Sequence, residues 1–147
     1  MRAAVFLFLL ILIFGNMQEV EKEIKLNQEF KLRLNEQSVL RPEELRIKFL
    51  AVTEDSRCPE GADCIWEGNG KVRIEVKKSG GEFKTFELNT TLEPKHAKFE
   101  DCEIQMVNLE PKPKSDVETK KENYTVTLII NKNSSPNSQN PVLIDFN

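Results

Sequence analysis

The chain has 147 residues and a formal net charge of −3 at pH 7, and a chain of this length suits one domain with its own core. Lysines and glutamates are interspersed along it, without the basic stripe that marks a nucleic-acid-binding surface. We therefore predict one small domain with no nucleic-acid partner.

The N-terminus has the pattern of a signal peptide. A short basic start, Met1-Arg2, precedes an unbroken apolar run over residues 3–14, and Gly15 supplies a small residue for cleavage. The run is shorter than the roughly 20 residues that a transmembrane helix needs. We therefore predict that residues 1–15 are removed and that the mature chain is extracytoplasmic, either periplasmic or secreted, with no transmembrane span.

Most of the remaining chain alternates apolar and polar residues, which is the period of a half-buried strand. The alternating segments are residues 24–34, 45–52, 72–77, 83–88, 104–109 and 124–130. A turn is predicted at residues 36–38, followed by a short edge segment at Val39 and Leu40. Residues 89–101 are expected to be irregular, and no helical period occurs after residue 15.

These patterns predict an all-β domain over residues 20–131. Its expected architecture is an antiparallel β-sandwich or a partly open barrel of about seven strands. Residues 132–147 are rich in Asn, Ser and Pro, a composition that predicts a flexible C-terminal tail.

Residues 54–70 concentrate the unusual residues of the chain: two of the three cysteines, the only tryptophan and three of the six glycines. Cys58 and Cys64 enclose five residues, including a proline and a glycine that let the chain reverse. In an exported protein such a pair predicts a local disulfide. Cys102 is left over, either as a half-buried small hydrophobe or as a reactive or intermolecular thiol.

An alternative is a zinc site made of Cys58, Cys64, His96 and Cys102, which has the ligand count of a structural centre. The spacing of the first two cysteines is wider than in common zinc motifs, and an oxidising compartment favours the disulfide. We therefore predict no metal at these cysteines.

Five residues are predicted to shape this stretch: Asp55, Arg57, Pro59, Trp66 and Gly68. Asp55 is expected to accept backbone N–H groups of a turn, and Arg57 to pair with a neighbouring acid or carbonyl. Trp66 is expected to pack over the disulfide and the sheet, with an exposed aromatic that binds a sugar or a protein as the alternative. Gly68 indicates a bulge or a tight re-entry into the next strand.

Acidic residues crowd the same stretch, and Glu60, Asp63 and Glu67 form a possible binding loop for a protein or glycan. Closely spaced carboxylates are also the ligands that calcium prefers, but their spacing matches no EF-hand loop. Acid clusters are most often solvated surface. We therefore predict neither a metal nor a cofactor in this stretch.

The order Asp-Ser-Arg-Cys-Pro at residues 55–59, followed by Cys-Ile-Trp-Glu-Gly-Asn at residues 64–69, resembles the D-S-R-C-P…C-x-W-x-G-x signature of an uncharacterised family of small exported bacterial proteins, often lipoproteins. The resemblance extends over roughly residues 27–131 and implies no activity. Two departures stand out. No lipobox cysteine follows the apolar leader, so a lipid anchor of that kind is not expected, and Gly70 stands where the resemblance implies alanine.

The residues do not suggest a catalytic set. His96 is the only histidine, Ser56 and Asp55 are adjacent on an extended chain and point apart, and no Gly-x-Ser-x-Gly elbow is present. Paired carboxylates for glycoside hydrolysis would need a cleft for which a chain this short leaves little room. We therefore do not expect an enzyme.

The leading hypothesis is an exported, non-catalytic β-domain, a binding or envelope-associated module with an unknown protein or glycan partner. Two alternatives remain. The first is an inhibitor of an extracytoplasmic hydrolase that presents the Cys58–Cys64 loop, since rigid closed loops suit insertion into a cleft. The second is a calcium- or zinc-binding domain.

Overall fold

The computed structural model describes residues 21–133. Within that range the chain forms nine strands and one short 3-10 helix. In chain order these are β1 Lys22–Ile24, β2 Glu29–Arg33, β3 Gln37–Leu40, β4 Leu45–Asp55, β5 Gly70–Lys78, β6 Lys84–Asn89, β7 His96–Phe99, β8 Cys102–Glu110, the 3-10 helix Lys121–Asn123 and β9 Thr125–Lys132. The predicted signal peptide (1–15) and residues 134–147 of the predicted tail lie outside the described residues.

The strands form two sheets that pack face to face. One sheet has the order β1-β3-β4-β5-β6 and the other the order β2-β9-β8-β7. Neighbouring strands are antiparallel except for β1 and β3, which run parallel. Because the two sheets do not join into one closed sheet, the fold is a β-sandwich. The predicted all-β sandwich is thus confirmed, with nine strands rather than about seven.

Alternate residues of the facing strands fill the space between the sheets. Ile47 and Phe49 of β4 and Ile74 of β5 are fully buried in the first sheet, as are Ile104 of β8 and Leu128 of β9 in the second. Successive side chains of a strand point to opposite faces, so the alternation in the sequence becomes one apolar inner face per sheet. Each buried aliphatic side chain stabilises the fold by about 1.5–3 kcal/mol relative to exposure.

The sequence prediction is wrong at two short segments. Gln37 begins β3, which lies inside its sheet between β1 and β4, whereas residues 36–38 were expected to turn. The reversal comes earlier, at Asn35, whose φ is +66°. Residues 96–99, expected to be irregular, form β7 and bury Ala97 and Phe99. Both strands have only four residues, too few for an alternating pattern to be distinguished from chance.

The long hairpin of β4 and β5 places its connecting loop at one end of the sandwich. Asp55, the last residue of β4, pairs with Gly70, the first residue of β5. Glu110 at the end of β8 pairs with Thr125 at the start of β9. The side chains of Arg57 and Asp55 make hydrogen bonds with Leu109 and Tyr124 at this end of the second sheet. Within residues 21–133, no helix is long and apolar enough to cross a membrane.

Candidate binding site: the loop between β4 and β5

We call residues 56–69 the β4–β5 loop and its outer part, residues 58–67, the tip. The base consists of the four residues that anchor the loop: Asp55, Arg57, Gly68 and Asn69. Three separate sets of contacts hold the base.

The Arg57 guanidinium fastens the base to both sheets. Its Nε and Nη2 donate to the two carboxylate oxygens of Asp55 at 2.7 and 2.8 Å. Its Nη1 donates to the backbone carbonyl of Leu109 in β8, and Nη2 also donates to that of Pro111 at 2.7 Å. The Asp55 and Arg57 side chains are each only 10% exposed. The predicted pairing of Arg57 with an acid or a carbonyl is therefore present, and it joins one sheet to the other.

Tyr124, the residue immediately before β9, completes this contact. Its hydroxyl donates to the Asp55 carboxylate at 2.8 Å. Burial by itself would raise the pKa of Asp55, but hydrogen bonds from Arg57 and Tyr124 and the charge of Arg57 outweigh it, so the pKa lies below its usual value. Burial and the bond to Asp55 in turn raise the pKa of Tyr124. Asp55 is thus held as a carboxylate, and Tyr124 as a neutral donor.

Gly68 lets the two sides of the loop lie against each other. Its φ is +71°, and a Cβ at this position would lie 1.8 Å from the backbone oxygen of Ser56. The Ser56 N–H donates to the Asn69 carbonyl, and the Cys58 N–H to the Glu67 carbonyl, both at 2.8 Å. Only glycine fits so close a backbone approach at this φ. The predicted tight re-entry at Gly68 is thus present.

Asn69 ties the base to the segment after β6. Its side chain is buried, donates to Asn89 Oδ1 at 2.9 Å and accepts the backbone N–H groups of Thr91 and Leu92 at 3.2 and 3.4 Å. The Gly70 N–H donates to Thr90 Oγ1 at 2.8 Å. Sequence reasoning missed this network, because an asparagine beside glycines is an ordinary turn residue and its partners lie about twenty positions away.

Cys58 and Cys64 form the predicted disulfide. This bond removes two of the four ligands of the alternative zinc site, which is therefore not assembled. Cys102 is a free thiol that is fully rather than half buried, and burial raises its pKa. Among residues 21–133, no group of three or more His, Cys, Asp or Glu side chains is arranged to hold a metal ion.

The tip exposes two large apolar side chains. Ile65 is 98% exposed and Trp66 is 76% exposed. The prediction that Trp66 packs over the disulfide and the sheet is therefore wrong. The loop leaves the sheet at Asp55, and it is the Arg57 side chain, not the indole, that reaches from the end of β4 to β8.

A backbone contact braces the tip from one side. The Glu60 N–H donates to the Pro113 carbonyl at 2.9 Å, and Glu60 and Lys114 form an isolated parallel β-bridge. Pro59 is half-buried, whereas the possible binding residues Glu60, Asp63 and Glu67 are all exposed. The tip is therefore held at the disulfide and at Glu60 and is open to solvent around Trp66.

A groove of about 960 Å³ runs between the tip and the second sheet. Cys58, Glu60 and Glu67 line one side, Thr90 and Thr91 line another, and the end of β8 with the segment after it forms the floor. The β4–β5 loop thus has a groove beside it.

Six large apolar side chains within residues 21–133 are exposed, and most of them lie on the loop or on segments near it. The large apolar side chains that are exposed within residues 21–133 are Ile65, Trp66, Phe83, Leu92, Val107 and Val117. Phe83 lies between β5 and β6. The other five belong to the tip, to the groove or to segments in contact with the loop.

The candidate catalytic residues are engaged in other contacts. Ser56 Oγ lies 3.2 Å from Glu54 Oε1 and 3.1 Å from the Asn69 carbonyl. His96 lies in β7, where its Nε2 is 3.5 Å from Glu103. The carboxylate of Asp55 accepts hydrogen bonds from Arg57 and Tyr124. The structure does not bring these residues together as a nucleophile and its base.

Comparison of the chain with protein-family models, curated proteins and solved structures gave no match.

Proposed function

We propose that this chain is an exported, non-catalytic binding module that engages a partner protein through Ile65 and Trp66. The observation that carries the proposal is the exposure of these two adjacent side chains, 98% and 76%, on a loop anchored to both sheets. Aromatic side chains supply a disproportionate share of binding energy at protein interfaces. Solvent exposure of an apolar pair on an anchored loop suits a surface that a partner covers.

The anchoring supports binding as well as stability. Arg57, Gly68 and Asn69 fix the two ends of the loop, and the disulfide closes the tip between them. A loop that is already ordered loses less conformational freedom when it binds, so more of the contact energy appears as affinity. The base therefore supplies a scaffold on which Trp66 is presented.

Export is supported by two features. The disulfide is of a kind that persists in oxidising compartments, and the sequence begins with a signal-peptide pattern. The resemblance to exported bacterial proteins at residues 55–59 and 64–69 agrees with the same compartment. The proposed partner is therefore a periplasmic, cell-surface or secreted protein.

The test compares three purified baits: the wild-type chain, Trp66→Ala, and Phe83→Ala as a control. Phe83 is also exposed, at 57%, but lies away from the loop. We expect a protein from the extracytoplasmic fraction of the producing cells to be retained by wild type and Phe83→Ala, and at least about tenfold less by Trp66→Ala. Binding of the purified partner to each bait then confirms direct contact.

The Trp66→Ala bait must also remain folded. Because the indole is mostly in solvent, its loss should change the unfolding free energy by no more than about 0.5 kcal/mol. Equal retention of every partner by all three baits would contradict the proposal. Retention that is released by free glycans would instead assign the tip to a glycan.

Inhibition of an extracytoplasmic hydrolase is a second candidate function, favoured by the disulfide-closed, projecting shape of the same loop. A rigid loop that enters a cleft binds at low entropic cost. Identification of the captured partner distinguishes the two functions. If the partner is a hydrolase whose activity falls when the wild-type chain is added, but not when the Trp66→Ala variant is added, the chain is an inhibitor.

A further inference from the structure

We infer that the partner protein presents an apolar pocket whose rim carries lysine or arginine side chains. This inference rests on the proposed function and adds the chemistry of the partner. It follows from the charges that surround Ile65 and Trp66 and from the shape of the tip.

Every charged residue of the tip is an acid. Residues 58–67 contain Glu60, Asp63 and Glu67 and neither lysine nor arginine. All three carboxylates belong to exposed residues, and none takes part in an ion pair among the described residues. The adjacent Arg57 is fully engaged at the base. The apolar pair thus lies in a stretch that carries three acids, none of them in an ion pair within residues 21–133.

Acids elsewhere in the molecule are commonly paired. The pairs on the strands and turns include Glu21–Arg46, Glu44–Arg41, Glu87–Arg73, Glu100–Lys78 and Glu110–Lys31. Two lysines lie near the tip, Lys112 in the lining of the groove and Lys114 in the backbone bridge with Glu60. Neither makes an ion pair with an acid of the tip within residues 21–133. The three acids of the tip are thus among the unpaired acids of residues 21–133, and they lie in the same short stretch as Ile65 and Trp66.

A surface of this kind selects a partner by both attraction and repulsion. Complementary charges around an apolar contact speed encounter and fix orientation, and like charges exclude wrong partners. Because Ile65 and Trp66 are 98% and 76% exposed, a partner that covers both side chains has to enclose them in a concave surface. An indole in such a pocket buries about 150–250 Å², so apolar contact holds the complex while the basic rim steers its formation.

An anionic membrane is a less suitable partner for the same reason. Surfaces that bind anionic lipids carry clusters of lysine and arginine, and three unpaired carboxylates beside Trp66 would be repelled. Insertion of the tip into a neutral bilayer is the alternative that the vesicle experiment below distinguishes.

The test uses the purified protein that wild type retains and Trp66→Ala does not. Its association and dissociation rates are measured against two triple variants with the same change of net charge. One neutralises the tip (Glu60→Gln, Asp63→Asn, Glu67→Gln). The control neutralises three exposed, unpaired acids remote from the loop (Glu23→Gln, Glu29→Gln, Glu82→Gln).

We expect the tip variant to associate at least about tenfold more slowly at low salt, and the control variant to stay close to wild type. The wild-type association rate should fall as the salt concentration is raised from about 0.01 to 0.15 M, because the Debye length then shortens from about 30 to about 8 Å. The association rate of the tip variant should change little. Trp66→Ala should act mainly on the dissociation rate.

Equal rates for the two triple variants, or a wild-type rate that does not depend on salt, would overturn the basic rim and leave the proposed function intact. A blue shift of Trp66 emission on adding phosphatidylcholine vesicles would overturn the protein pocket in favour of lipid insertion. Failure to find any Trp66-dependent protein would remove both proposals.

Discussion

Replacing Gly68 with alanine is expected to lower the free energy of unfolding by about 3 kcal/mol or more. The new Cβ would lie 1.8 Å from the Ser56 carbonyl oxygen, a backbone atom that cannot rotate away, and the φ of +71° would add strain. The two sides of the β4–β5 loop would have to move apart, with loss of the backbone hydrogen bonds between them. Equilibrium unfolding in urea, followed by circular dichroism, measures the loss.

Gly61→Ala is the matched control. Gly61 lies in the same loop with a φ of +77°, but nothing lies within 4 Å of its would-be Cβ. Its substitution should therefore cost only the backbone strain of about 1–2 kcal/mol. If the two substitutions destabilised the protein equally, the close approach of Gly68 to Ser56 would not contribute to the stability of the base.

Replacing Arg57 with alanine should cost about 3–5 kcal/mol, the usual effect of removing one partner of a buried ion pair. The substitution leaves Asp55 buried without its main partner and removes the hydrogen bonds to the Leu109 and Pro111 carbonyls. Arg57→Lys should recover only part of the loss, because an ammonium group cannot form the planar paired contact. Urea unfolding at neutral pH measures both variants.

The exposed pair of Arg73 and Glu87, with side chains 46% and 42% exposed, is the control for this prediction. Arg73→Ala should cost less than about 1 kcal/mol. The pH dependence gives a second check. Because the pKa of folded Asp55 is lowered, its stabilising contribution is present above the unfolded pKa of about 3.9 and is lost as the pH falls through the folded value.

The cost of Arg57→Ala should therefore shrink in acid, where Asp55 becomes protonated in both proteins. A cost that is the same at neutral and acid pH, or no larger than that of Arg73→Ala, would contradict the role of Arg57 as the link between the sheets.

The β-sandwich could be predicted from the sequence because burial of one face of each strand leaves a period of two. This holds for β4, β5 and β9, which have eight or more residues. It does not hold for β3 and β7, whose four residues are defined by their neighbours in the sheet rather than by their own pattern. The disulfide could be predicted because its two cysteines are close in sequence.

The base of the loop was only partly predictable. Asp55 and Arg57 are two positions apart, so their pairing is a local property of the sequence. Tyr124 and the Leu109 carbonyl are 69 and 52 positions away from their partners, and no local pattern connects them. The hydrogen bonds of Asn69 could not be predicted from the sequence for the same reason. Contacts of this length depend on which strand ends the topology brings together.

Trp66 shows why a residue type alone is a weak guide to burial. Large aromatic residues are on average well buried, and a tryptophan beside a disulfide often packs against it in β-sandwiches. Here the disulfide lies beyond the end of β4, and the Arg57 side chain rather than the indole makes the contact with the second sheet. The environment of Trp66 was therefore set by where the loop leaves the sheet, which the alternating pattern does not reveal.

The most direct test of the proposed presentation of the tip is the fluorescence of Trp66, the only tryptophan of the chain. In the native protein we expect the long-wavelength emission of an indole in water, quenching by acrylamide close to that of the unfolded chain, and little spectral change on unfolding in urea. The contrary result is a native emission at shorter wavelength that is protected from acrylamide and shifts to longer wavelength on unfolding. If this result is the same at every protein concentration, so that self-association does not explain it, Trp66 is packed inside the domain. That would contradict its presentation to a partner.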